Sequence, residues 1–300
     1  MNRPEYCGRF APSPTGPLHF GSLAAAVGSY LEARSHNGIW LMRMEDLDAP
    51  RTVAGAADDI LHTLEACGLH WDGEVLYQSR RSAAYEQALH ELQRIGAVYP
   101  CACTRREIAD SALHGIDGPV YPGICRNGLL EGREGRAWRV RTNDDHAVTF
   151  EDALQGRQVQ HLESEIGDFV VKRADGLFAY QLAVVVDDAF QRISHVVRGA
   201  DLLASTPRQI HLQRLLELPI PHYMHLPVAI NEAGEKLSKQ TLAAPVDKGK
   251  PSLALWYALA FLQQSPSPEL QSEKPETILE WALQNWHSEK LRSIASLRVS

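Results

Sequence analysis

The chain of 300 residues has no apolar run approaching the length of a membrane span, no internal repeat and no low-complexity stretch. The first absence argues against a helical membrane anchor. Met1-Asn2-Arg3-Pro4-Glu5 also lacks signal-peptide character, so a cytoplasmic location is expected. Cysteine is scarce: there are five, with Cys101 and Cys103 one residue apart, which does not make a disulfide framework. Positive charge is in deficit, with 30 Lys and Arg against 37 Asp and Glu and a net charge of −7. A polyanionic partner would therefore have to meet a local patch, for which Arg105, Arg106, Arg126, Lys236, Lys239, Lys248 and Lys250 are candidates. For any one of them a solvated surface position is the simpler account. Hydrophobic residues at 44% and charged residues at 22% are ordinary for a globular protein, enough for one large domain or two smaller ones.

The richest stretch is Arg9-Phe10-Ala11-Pro12-Ser13-Pro14-Thr15-Gly16-Pro17-Leu18-His19-Phe20-Gly21-Ser22. A short apolar strand runs through a Pro/Gly turn onto a helix whose period shows in Leu23, Ala26, Val27, Tyr30 and Leu31. Such a unit aims free backbone N–H groups and the positive end of the helix dipole at one point, which suits a phosphate. His19 can add a donor there, and Gly21 leaves room for a bulky group against the backbone. Taken alone, His-x-Gly fits an ordinary strand–helix corner equally well.

Residues 5–95 alternate between strand-like and helical patterns, with Ile39 to Met44 a strand and Ala54 to Cys67 and Ser82 to Ile95 helices. This predicts a doubly wound α/β unit with its ligand crevice at the carboxyl ends of parallel strands. From Val98 the pattern changes to short β-like pieces, Ala137 to Arg141 and Val148 to Phe150, with glycines and clustered cysteines, as in an insertion. The α/β pattern resumes near Gly167 and includes two apolar runs read as strands, Ala183 to Val186 and Leu226 to Ile230. Asp187 and Asp188 follow the first of these and are expected to be a cap or strand terminus, in preference to a magnesium or ribose contact. Helical segments at Ser252 to Gln263 and Pro275 to Trp286 follow Pro245. The expected division is 1–97, the first half of a catalytic domain; 98–165, the insertion; 166–245, the second half; and 246–300, a short helical region.

Cys101-Ala102-Cys103 and Tyr121-Pro122-Gly123-Ile124-Cys125 make a second constellation. Three thiolates and one further ligand could close a tetrahedral zinc site. The spacing is tighter than usual and a fourth cysteine is missing, so three reduced, buried cysteines fit the pattern as well. Cys7 and Cys67 look like small core residues.

Three further strings lead to a family. Lys236-Leu237-Ser238-Lys239-Gln240 follows a strand-like segment, Leu41 to Asp48 is an apolar run ending in acids, and Arg198 to Gln209 reads RGADLLASTPRQ. With Arg9 to Gly16 and His19-Phe20-Gly21-Ser22, these resemble class I aminoacyl-tRNA synthetases of the glutamyl group, over roughly residues 5–245. Ser22 stands where many such enzymes have a second histidine, and Leu237 and Gln240 replace the methionine and final serine of the downstream signature. Neither of the last two changes removes a charge.

The resemblance implies a Rossmann-type parallel sheet with an inserted α+β zinc-containing subdomain. It implies activation of L-glutamate by ATP with Mg2+, His19 and Lys239 being catalytic. The ATP site would comprise Pro12, His19, Gly21, Ser22, Lys236, Ser238 and Lys239, and the glutamate site Arg9, Ser13, Glu45, Tyr180 and Arg198. Arginine forks suit carboxylates, and one acid suits the ammonium. One structural zinc is implied on Cys101, Cys103, Tyr121 and Cys125, with His114 as the alternative fourth ligand. The usual glutamyl enzyme has a large anticodon-binding portion, which about 55 residues after the signature loop cannot supply. A truncated branch of the family consists of the catalytic part alone and attaches glutamate to queuosine in the anticodon of tRNA(Asp). Arg43 to Asp48, Trp71-Asp72-Gly73 and Tyr77-Gln78-Ser79 look like that branch. The partners expected are therefore ATP, glutamate and a tRNA, with no membrane, for a monomer. A reduced enzyme charging tRNA(Glu) and a catalytically silent tRNA-binding paralogue are the alternatives.

Overall fold

The computed structural model describes residues 5–109, 114–115, 118–145, 147–237 and 245–299. Ser238, Lys239 and Gln240 of the downstream signature lie outside the described residues, as does the side chain of His114.

Strand Cys7–Phe10 pairs in parallel with Ile39–Met44, from Cys7 opposite Ile39 to Phe10 opposite Met42, and Leu76–Tyr77 extends the sheet beside Arg43 and Met44. The crossover between the first two strands is helix Phe20–Ser35, which buries Leu23, Ala26, Val27 and Leu31. It lies tight on the sheets: a Cβ added at Gly28 would come within 2.6 Å of Leu226. Helices Ala56–Ala66 and Ser82–Arg94 fall within the segments their apolar periods mark.

A second sheet has the order His195–Gly199, His222–Leu226, Val148–Asp152, Gly156–Gln160. The first three strands are parallel, and the last two form an antiparallel hairpin. The sheets abut at Cys7, whose carbonyl accepts the Ser194 N–H at 2.9 Å. The hairpin 148–160 thus hydrogen-bonds to the strand carrying His225, which in turn pairs with the strand carrying Arg198, although its composition groups it with the insertion. A separate antiparallel sheet joins Val98–Cys101, Ala137–Val140 and Val170–Lys172 and carries the first of the clustered cysteines.

Two sequence expectations are corrected. Ala183 to Val186 is not a strand but part of helix Tyr180–Gln191, and Asp187 and Asp188 lie inside that helix, not at a strand end. Leu182, Ala183, Val184 and Val185 are all buried there, so the run is apolar around the helix and shows no one-sided period. Leu226 to Ile230 is interrupted at Pro227, which has no N–H for a ladder. Strand His222–Leu226 stays in the second sheet, while Val228–Ile230 pairs with Ser296–Arg298.

The final helices, Pro251–Phe261 and Pro275–Gln284, pack Leu255, Leu259, Ile278 and Leu279 into the same core as Leu23 and Val27. No helix among the described residues is long and apolar enough to cross a membrane.

Candidate active site

The carboxyl ends of the parallel strands open on a cavity of about 1000 Å³. Its lining includes Arg9, Pro12, Ser13, His19, Gly21, Ser22, Glu45, Tyr180, Arg198 and Lys236. Every candidate glutamate or ATP residue whose structure is described therefore faces one space. Strand order explains the convergence, because Arg9, Glu45 and Arg198 lie at or just beyond the ends of three parallel strands.

At one end of the cavity the charges are buried and cross-linked. Asp188 accepts from Arg9 Nε at 3.2 Å and from Arg43 Nη1 at 2.7 Å. Arg43, wholly buried, also donates to Gln191 Oε1 at 2.8 Å and to Glu45 Oε1 at 3.3 Å. Burial alone would raise Asp188, but the two guanidiniums outweigh it and hold the carboxyl below its usual range. Burial pushes Glu45 up, offset only in part by Arg43 and Arg9. A cation arriving beside Glu45 would favour its charged form. Neither Asp188 nor Arg43 was singled out as a site residue from the sequence. Asp187, the neighbour of Asp188, faces another way and accepts from Arg81 Nε at 2.6 Å, Tyr85 Oη at 2.7 Å and Gln78 Nε2 at 2.9 Å.

Arg198 is held on one edge only. Its Nε donates to His225 Nε2 at 3.0 Å and its Nη2 to Thr206 Oγ1 at 2.8 Å. Its Nη1 is buried with no hydrogen-bond partner among the described residues. An orphaned guanidinium nitrogen on a cavity-lining residue calls for an anion. Burial raises the phenol of half-buried Tyr180, and nearby Glu45 adds to the shift.

The other end is more open. His19 is the N-cap of helix Phe20–Ser35 and accepts the Ser22 N–H at Nδ1, 3.3 Å away. That bond places the proton on Nε2, 3.2 Å from Ser22 Oγ, where it can be offered to a stronger acceptor. A Cβ at Gly21 would meet His19 and Ala229 at ordinary distances of 3.6 and 3.7 Å, so packing does not require the glycine. What it preserves is space in the cavity. Lys236 Nζ reaches Asp201 at 2.5 Å. Both flanks of segment 238–244 are tied to the site: Leu237 N–H donates to Ala229 O at 2.8 Å, and Val246 N–H to Leu18 O at 2.9 Å.

The cysteines form a second centre. The Sγ atoms of Cys101, Cys103 and Cys125 all lie within 4.8 Å of one another. Tyr121 Oη sits 3.4 Å from Cys101 Sγ and 3.5 Å from Cys103 Sγ, and Cys103 and Cys125 are 3.6 Å apart at sulfur. Zn–S bonds of about 2.3 Å in a tetrahedron require S···S separations of about 3.8 Å, so this donor set could hold a metal ion. Burial pushes the Cys103 thiol up to about 11. For Cys101 burial is outweighed by its hydrogen bonds with Tyr121, the Cys103 N–H and Arg139, and its thiol is lowered. Arg139 Nε donates to Cys101 Sγ at 3.3 Å, and its guanidinium lies 3.9 Å from the centroid of the Tyr121 ring.

Comparison with known proteins agrees with this architecture. Residues 7–261 match the model of the class I tRNA synthetases (E and Q), catalytic domain. A protein of Dechloromonas aromatica named glutamyl-Q tRNA(Asp) synthetase is 61% identical over 288 residues, 95% of each chain. One of the same name from Aromatoleum aromaticum is 58% identical over 283 residues, 94% of this chain and 89% of that protein. In fold, the chain is similar to a glutamate–tRNA synthetase of Elizabethkingia anophelis, with a TM-score of 0.80 at 22% identity, covering 98% of this chain and 68% of that one. The chain belongs to the class I tRNA synthetases of the E and Q type.

Proposed function

We propose that this member of the class I synthetases activates L-glutamate with ATP and transfers it to queuosine in the anticodon of tRNA(Asp). The observation that carries this reading is the 61% identity, over 95% of both chains, to a relative bearing that enzyme's name. The cavity supplies the chemistry that such a reaction needs. Arg198, with an unsatisfied Nη1, and Arg9, braced by Asp188, are the forks for the carboxylates of glutamate. Glu45 receives the ammonium, with Ser13 and Tyr180 completing the pocket.

A carboxylate oxygen of bound glutamate attacks the α-phosphorus of ATP, forming the acyl-phosphate bond as pyrophosphate leaves. His19, donating from Nε2, and Lys239 stabilise the charge that grows on the phosphate oxygens. Pro12, Gly21, Ser22, Lys236 and Ser238 complete the nucleotide site, and Mg2+ arrives on the ATP phosphates. Queuosine then takes the glutamyl group and AMP leaves. Cys101, Cys103, Cys125 and Tyr121 hold one structural zinc that cross-links the inserted module and takes no part in the reaction. The protein acts in the cytoplasm.

Transfer of labelled glutamate, with ATP and Mg2+, tests the reading on tRNA(Asp) with and without queuosine and on tRNA(Glu). Label on queuosine-containing tRNA(Asp) alone is expected. Label on tRNA(Glu) would make the protein a reduced charging enzyme. Label on neither would overturn both.

A further inference from the structure

Arg198 is backed by two residues that do not themselves line the cavity. His225 Nε2 accepts from Arg198 Nε at 3.0 Å, so this nitrogen carries no proton. The proton of the neutral ring is therefore on Nδ1, which donates to Asp152 Oδ2 at 2.6 Å. Both side chains are fully buried. The other carboxylate oxygen, Oδ1, accepts the backbone N–H groups of Gln155 at 2.9 Å, Leu154 at 3.1 Å and His225 at 3.2 Å. Three backbone donors fix the plane of the carboxylate and leave Oδ2 for the imidazole.

We infer that Asp152 and His225 are positioning residues: the Asp152 carboxylate sets the His225 tautomer, and that tautomer aims Arg198 into the amino-acid pocket. The inference rests on the glutamate site proposed above. The coupling is directional, since a donor on Arg198 Nε needs a lone pair on His225 Nε2, and that lone pair exists only if the proton is held at Nδ1. With Nε tied to His225 and Nη2 to Thr206, the guanidinium plane is fixed, and the edge bearing Nη1 is left for the carboxylate. Burial holds His225 well below its ordinary range, down to about 4, which is consistent with a ring that stays neutral.

Asp152→Asn tests this at almost constant volume. The three N–H donors keep the amide oxygen at the Oδ1 position, so the NH2 group takes the place of Oδ2 and must donate to Nδ1. The ring then carries its proton on Nε2, donor against donor with Arg198. Losing a hydrogen bond to a charged group should raise the glutamate KM in glutamate-dependent pyrophosphate exchange by about 10–100-fold. The ATP KM should stay within about twofold, because the change acts on the other substrate's pocket. Nitrogen-15 spectra of labelled histidine should move His225 from the Nδ1–H to the Nε2–H form. His225→Gln keeps an acceptor towards Arg198 but has no tautomer to invert. It should show a smaller rise of its own, and adding Asp152→Asn to it should change little. An unshifted glutamate KM in folded Asp152→Asn, or an equal penalty on the His225→Gln background, would overturn the inference. Failure of the unaltered enzyme to exchange with glutamate would instead overturn the proposed substrate.

Discussion

At the amino-acid end of the cavity, Asp188 and Glu45 balance Arg9 and Arg43 with side chains of the chain itself. At the cysteine cluster, three thiols and a phenol converge with Arg139 as the cationic side chain that touches them. Both are buried polar clusters. They differ in what would complete them: the first already pairs its charges, whereas the second is a donor set that could hold a metal ion. The first is thus preorganised, with orientation set by helix Tyr180–Gln191 before glutamate arrives. A metal ion held by the second would fasten a module whose own buried apolar group is small, centred on Tyr99, Ala102 and Tyr121.

The sharpest way to break this contrast is Asp188→Asn. It leaves Arg9 and Arg43 buried without their shared anion, and removing one member of a buried pair costs about 3–5 kcal/mol of stability. Glutamate-dependent exchange should fall at least about a hundredfold, because Arg9 and, through Arg43, Glu45 both lose their brace. Near-normal exchange in a folded variant would show that the pocket is not held by Asp188.

Acid offers a second, intermediate test. The folded-state value of His225, about 4, lies below the ordinary 6.5, with Asp152, Arg198 and Asp201 the charged groups facing it. Between those values the unfolded chain binds the extra proton, so stability falls as pH drops from about 6.5 towards 4, by up to about 3 kcal/mol. Denaturant unfolding at several pH values should show this loss, and His225→Gln should flatten it. Half-buried His195, also lowered to about 4 by burial and its neighbours His222 and His36, will contribute a slope of its own that the variant keeps.

The smallest effect on activation is expected at the other cluster. Cys103→Ser should abolish stoichiometric zinc and lower the melting temperature, yet change glutamate-dependent exchange by less than about threefold, as befits a structural site.

How much of this was legible beforehand follows from the range of each signal. Arg9, His19, Glu45 and Arg198 stand inside strings with recognisable neighbours, and the strand–turn–helix opening is local. They converge on one cavity because parallel strands present their carboxyl ends together. Asp188 was hidden because Leu182 to Val185 are buried around the helix, leaving no period to separate it from a strand. Asp152 and His225 are 73 residues apart, joined only by strand pairing that composition does not reveal. The three cysteines were visible as a pattern, but only the fold brings Tyr121 Oη to 3.4 Å from Cys101 Sγ.

The contrast is tested most directly by stripping the metal from the intact enzyme with a chelator and following zinc content and glutamate-dependent pyrophosphate exchange on the same samples. The account predicts one zinc per chain at the start, and exchange that persists after the zinc is gone while thermal stability falls. Exchange lost in proportion to zinc, and restored with it, would contradict the separation of a self-sufficient amino-acid site from a metal-fastened module.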